Sequence, residues 1–180
     1  QLVGVVVLLL EPVLVPHRIG DDAVVGVTTN PTIFERSLAH GERYDAELTS
    51  HGVGDAKHVF HALAMRDVAT ACDVFRPVWE RTRGGDGYVS IEVDPDLAHD
   101  VHATTNQVEL FHDAIAKPNL LVKIPATDAG VDAIEQTTAR GHSINVTLIF
   151  SLRRHRQVIE AYLAGLERLI DAGGDPSRIH

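Results

Sequence analysis

The chain has a single cysteine, Cys72, so no intrachain disulfide can form. Cys72 sits in an apolar pattern of helical spacing, which predicts a buried, inert thiol and fits a reducing cytoplasm. Basic charge is also scarce: 16 Lys and Arg stand against 25 Asp and Glu, for a net charge of −9. A nucleic acid or an anionic membrane is therefore not the expected partner. The one local exception, Arg153, Arg154, His155 and Arg156, reads as a solvated helix face. No long hydrophobic run is present. Leu2–Leu10 is far short of the about 20 residues needed to span a bilayer, and Glu11 and Pro12 interrupt it. Its first basic residue, Arg18, lies on the wrong side for a signal peptide, so a buried first strand is the expectation. No P-loop or Gly-x-Gly-x-x-Gly follows an apolar run, which leaves nucleotide chemistry without support. Eleven histidines invite a metal reading, with His58 and His61, and His99 and His102, each three apart. Only one Glu-x-x-His, Glu109 to His112, occurs, where dimetal bundles need two. Surface histidines, rather than a metal site, are the expectation.

What is present alternates. Short continuous apolar runs, Val3–Leu10, Val24–Thr28, Tyr88–Val93, Leu120–Ile124 and Ser143–Ile149, read as strands covered on both faces of a parallel sheet. Helical patterns fill the gaps: Pro31–Ala39, closed by Gly41; Asp55–Arg83, with Val59, Leu63, Val68, Cys72, Phe75 and Trp79 as its apolar stripe; Leu97–Ala116; Val131–Ala139; and Leu152–Ala172. Asn30 is a candidate N-cap for the first and Ser151 for the last, and Asp94 and Asp96 suit the start of the third. Repeated βα units in one α/β domain over residues 1–180 are the result. At 180 residues the chain is shorter than the about 250 of a closed eight-stranded α/β barrel. A fifth strand without a next neighbour leaves an open edge, which predicts self-association or marginal folding.

In parallel α/β folds ligands bind at the carboxyl ends of strands. There the sequence places Thr28 and Asn30, Glu92, Lys123, then Asn145 and Thr147. Lys123 is the sharpest of these. An amine in an apolar strand is discouraged from holding its charge, and a neutral amine can attack a carbonyl to form a Schiff base. The alternative is a strand-end lysine snorkelling to solvent. Glu92 suits the proton transfers of imine chemistry, or else an ion pair with a nearby base. Asn145 and Thr147, two apart, share a face, as do Thr28 and Asn30.

Four motifs then coincide. Gly26-Val27-Thr28-Thr29-Asn30-Pro31-Thr32-Ile33, Val89-Ser90-Ile91-Glu92-Val93-Asp94-Pro95, Asn119-Leu120-Leu121-Val122-Lys123-Ile124-Pro125-Ala126-Thr127 and Ile144-Asn145-Val146-Thr147-Leu148-Ile149-Phe150-Ser151 resemble, in order, the second to fifth strands of the transaldolases. The likeness runs from about Ala23 to His180. It implies a (β/α)8 TIM-barrel fold of which this chain covers about the first five βα units, an incomplete barrel. It also implies a metal-free, Schiff-base enzyme of the pentose phosphate pathway, acting on sugar phosphates. Lys123 would carry a dihydroxyacetone unit from a ketose phosphate to an aldose phosphate. Glu92 and Thr147 would position water and relay protons, while Thr28, Asn30 and Asn145 would contact the three-carbon unit.

Two departures qualify this. The family's first strand ends in a proton-handling aspartate, but its spacing from Asn30 reaches Val3 and Gly4 here. Glu11, the nearest acid, lies in an atypical segment covering residues 1–22. The chain also stops before the family's sixth strand, and the last three strands carry the serine and arginines that hold the substrate phosphate. A silent barrel fragment acting in folding or assembly is one alternative. A fructose 6-phosphate aldolase-like enzyme is another, against which the long helical insert Asp55–Arg83 speaks.

Overall fold

Every apolar run read as a strand, where it is described, contains one, three of them trimmed and the one at Leu120–Ile124 extended to Pro125. The structure, a computed structural model, describes residues 24–30 and 56–180. The first run Val3–Leu10, the short helix Pro31–Ala39, Glu11 and the atypical start lie outside the described residues. In chain order the elements are β1 (Val27–Thr28), α1 (Ala56–Thr82), β2 (Val89–Glu92), α2 (Val101–Ile115), β3 (Leu120–Pro125), α3 (Asp128–Ala139), β4 (Ile144–Thr147) and α4 (Leu152–Asp171). Short 3-10 turns cover Pro95–Leu97 and Pro176–Arg178. No helix among the described residues is long and apolar enough to cross a membrane. Two compact units emerge: one reaches Ile91 and takes in Lys117–Asn119, the other comprises Glu92–Ala116 and Leu120–His180.

In the first unit β1 and β2 pair in parallel, Val27 opposite Val89 and Thr28 opposite Ser90. Val27 N donates to Tyr88 O and Thr29 N to Ser90 O, both at 3.0 Å. α1 buries Val59, Leu63, Val68, Cys72, Phe75 and Val78. Val78 takes the core position expected of Trp79, whose half-buried indole instead lies under the Arg76 guanidinium at 5.1 Å. Burial, with Asp73 adding to it, pushes the Cys72 thiol up to about 12, which makes it unreactive at neutral pH. Asn119 closes the unit: its fully buried Nδ2 donates to Cys72 O at 2.9 Å and to Gly87 O at 2.8 Å. Gly87 adopts φ +86° and a Cβ there would lie 2.4 Å from Trp79 N, so only glycine fits this turn.

In the second unit β3 and β4 pair in parallel, with Val122, Lys123, Ile124 and Pro125 opposite Ile144, Asn145, Val146 and Thr147. Their inner side rests on α2 and α3 through Val108, Phe111, Ile115, Val122, Ile124 and Ile134. α2 begins later than its apolar pattern suggests. Asp94 caps the separate 3-10 turn at Pro95, and Asp100 caps the helix proper by accepting from Ala103 N at 2.9 Å. α3 begins three residues earlier than expected, because Thr127 Oγ1 accepts from Gly130 N at 2.8 Å. Ser151 caps α4 as its sequence predicts. α3 and α4 meet closely at Gly165, where a Cβ would sit 2.6 Å from Thr138 Cβ. Along β4, Ile144 N donates to His180 O at 2.9 Å.

Candidate active site

β3 delivers Lys123 from an apolar strand. Leu120, Val122 and Ile124 are fully buried, and Lys123 itself is 9% exposed. Its Nζ donates to Glu92 Oε2 at 3.2 Å. The backbone fixes that encounter, since Val93 N donates to Lys123 O at 3.1 Å just past the carboxylate. The lysine does not snorkel freely. It is held beside a carboxylate, the arrangement a proton-exchanging pair requires.

Asn145 lies directly opposite Lys123 in the β3–β4 register, and Thr147 opposite Pro125. Alternation along each strand therefore turns Lys123, Asn145 and Thr147 to one face of the pair. The Thr147 hydroxyl is buried and makes no hydrogen bond among the described residues. A buried hydroxyl without a partner is uncommon and costs about 1–3 kcal/mol, so its position calls for an explanation beyond packing. The second unit thus brings four of the six expected residues together: Glu92, Lys123, Asn145 and Thr147.

Thr28 and Asn30 belong to the first unit. Thr28 sits opposite Ser90, and its hydroxyl too is buried and unpartnered among the described residues. Thr29, between them, turns the other way and donates from Oγ1 to Ser90 O at 2.9 Å.

Several residues that shape the site had no assigned role in the sequence. Thr127 Oγ1, besides capping α3, donates to Ala98 O. Gln107 Oε1 accepts from Asp94 N at 2.6 Å and so anchors the chain two residues beyond Glu92. Leu148, immediately after Thr147, holds φ +60°, a left-handed conformation that a branched side chain adopts only under strain. A capping threonine three residues before a glycine was a readable signal; the other two had none. Of the basic cluster, Arg154 is bound to the Asp128 carboxylate and reaches Thr127 O at 3.4 Å.

Residues 10–174 match the family model described as transaldolase/fructose-6-phosphate aldolase. A transaldolase of Mycobacterium ulcerans is 50% identical over 161 residues, covering 88% of this chain and 43% of the relative. A transaldolase of Kocuria rhizophila is 49% identical over 164 residues, 90% and 45% of the two chains. One of Acidothermus cellulolyticus is 50% identical over 163 residues, 89% and 44%. The chain spans less than half the length of these curated relatives. With its parallel strands alternating with helices, the chain belongs to the transaldolase/fructose-6-phosphate aldolase family of (β/α)8 barrels.

Proposed function

We propose that this chain carries the imine-forming half of a transaldolase active site, with residues 1–180 forming one partial barrel domain that begins in an atypical segment, 1–22. The observation that carries the reading is the buried Lys123 Nζ, 3.2 Å from the Glu92 carboxylate at the carboxyl end of a parallel strand. The Lys123 amine, its proton passed to Glu92, attacks the carbonyl carbon of a ketose phosphate such as fructose 6-phosphate or sedoheptulose 7-phosphate. Loss of water gives a protonated imine. Glu92 returns its proton as that water leaves, and then takes up, through a bound water, the proton of the C4 hydroxyl; the C3–C4 bond breaks, its electron pair passes to the imine, and an aldose phosphate departs to leave an enamine on Lys123. Attack of the enamine on glyceraldehyde 3-phosphate or erythrose 4-phosphate makes the new bond, and water then frees the product ketose.

Glu92 and Thr147 hold the water that enters and leaves, which gives the unpartnered Thr147 hydroxyl a use. Asn145, opposite Lys123, contacts the hydroxyls of the three-carbon unit. The setting is the pentose phosphate pathway of the cytoplasm, with no organic cofactor or metal.

The test is reductive trapping. Incubation with fructose 6-phosphate and borohydride should add one three-carbon unit at Lys123, located by mass spectrometry, and Lys123→Arg should abolish it. Absence of any adduct would favour a silent fragment, and an adduct at another lysine would break the mechanism. A coupled assay with erythrose 4-phosphate separates complete transfer from imine chemistry alone.

A further inference from the structure

The turn that follows Glu92 is held by three side chains, each bonded to its backbone. Gln107 Oε1 accepts from Asp94 N at 2.6 Å, Thr104 Oγ1 donates to Leu97 O at 2.8 Å, and Thr127 Oγ1 donates to Ala98 O. Every group in these contacts belongs to the second unit. Thr104 and Gln107 stand three apart on α2 and so share a face, and the two backbone groups they hold are also three apart.

Of the three, only Gln107 acts on the strand side of Pro95. Pro95 has no N–H, and Val93 N is taken by Lys123 O at 3.1 Å. Asp94 N is therefore the last amide donor before the turn, and Gln107 is the group that receives it. An N–H can only donate, which fixes the oxygen end of the Gln107 amide against it. That side chain has no second hydrogen-bond partner among the described residues. Without its oxygen, Asp94 N must turn to water, and β2 can fray back to the Val93–Lys123 bond, next to the residue that carries the carboxylate. The Glu92–Lys123 contact, at 3.2 Å, has little room to spare. An outward shift of about 0.5 Å ends it as a hydrogen bond.

We propose that Gln107 is a positioning residue for Glu92. Through Asp94 N it holds the end of β2 at the place where the Glu92 carboxylate meets Lys123 Nζ. Thr104 and Thr127 secure the same turn only beyond the proline. The assignment rests on the reading of Glu92 and Lys123 as a proton-exchanging pair, and it gives α2 a part in a reaction whose other groups stand at strand ends.

Gln107→Met keeps the length of the side chain and removes the acceptor. Its maximal rate of borohydride trapping at Lys123 should fall roughly 10–100-fold. The fructose 6-phosphate concentration that gives half that rate should stay unchanged, because Gln107 acts only through Glu92. Gln107→Glu keeps an oxygen at the same reach and should trap within about threefold of the parent. In a Glu92→Gln background, Gln107→Met should add no further loss. Thr104→Val, which frees Leu97 O beyond the proline, should lower the urea midpoint but leave trapping within about twofold. Equal losses from Gln107→Met in both backgrounds, or the same loss in Thr104→Val, mean a general loosening and overturn the proposal. A parent chain that traps nothing refutes the imine reading instead. Geometry then decides the role of Gln107 without turnover, by amide exchange and a crystal structure of Gln107→Met. Faster exchange at Val93 and Asp94, with Glu92 drawn out of hydrogen-bond reach of Lys123, upholds it; a contact still at 3.2 Å overturns it.

Discussion

Removing the Glu92 carboxylate should cost the fold far more than removing the Glu92–Lys123 pair as a whole. The Lys123 and Glu92 side chains are 11% and 22% exposed, so both ends of their 3.2 Å contact are withdrawn from water. Glu92→Leu takes its carboxylate away from a buried ammonium, a loss of about 3–5 kcal/mol for a fully enclosed pair, and the residual exposure of Glu92 favours the lower figure. For a domain of this size that corresponds to a fall in Tm of about 6–12 °C, at roughly 2–4 °C per kcal/mol. Lys123→Met with Glu92→Leu replaces both charges by apolar groups of similar volume and should be neutral or more stable than the parent by about 1–4 kcal/mol. Urea unfolding of the parent, both single variants and the double variant closes the cycle, and borohydride trapping is run on each. A reactive pair kept at a cost to stability gives a double variant that melts higher and traps nothing. If the double variant is as destabilised as the worse single, the pair is structural and the reasoning fails.

Acid should weaken the fold through His112. Burial, and then the His142 ring stacked on it at 4.6 Å, hold His112 down to about 4 from 6.5, against the opposing pull of Ser143 O and Asp113. The folded state resists a proton that the unfolded chain accepts, so the contribution is complete above pH 6.5. It falls as pH drops toward 4, by about 3 kcal/mol in all. His112→Phe should flatten the dependence of the urea midpoint between pH 7 and 4.5, and an unchanged slope would assign the effect to other groups. At Leu148, φ +60° and an exposed side chain mean that Leu148→Asn relieves strain without opening a cavity. It should raise stability by up to about 1 kcal/mol in thermal melts, and a clear loss would show that the leucine side chain is needed.

The periodic elements were legible because their signal is local. The continuous apolar run through Leu120–Ile124 could hardly be anything but an enclosed strand, and the stripe of α1 marked its buried side except at one position. There, spacing alone could not tell Val78 from Trp79, since both fall near the core-facing arc. Boundaries were less legible wherever two capping signals competed. Asp94, Asp96 and Asp100 all suit a helix start, and the choice of Asp100 depends on Pro95 beginning a turn of its own.

At the site, Glu92, Lys123, Asn145 and Thr147 were readable from their common level at strand ends, and register then set Lys123 against Asn145. Contacts between distant segments left no trace in the sequence. His112 meets Ser143 O across 31 positions, and Gln107 reaches back 13 to Asp94, through packing that no local pattern encodes.

Thr127 gives the passage out of β3 a distinctive mechanical character. Its single oxygen is bonded on one side to the start of α3 and on the other to Ala98, and a Cβ at Gly130 would fall 1.9 Å from Pro125 O. A linker clamped at one atom and tolerating only hydrogen at another cannot swing like a hinge. The Lys123 nitrogen is thus presented from a braced strand end, and any movement that opens the site must come from other stretches of chain.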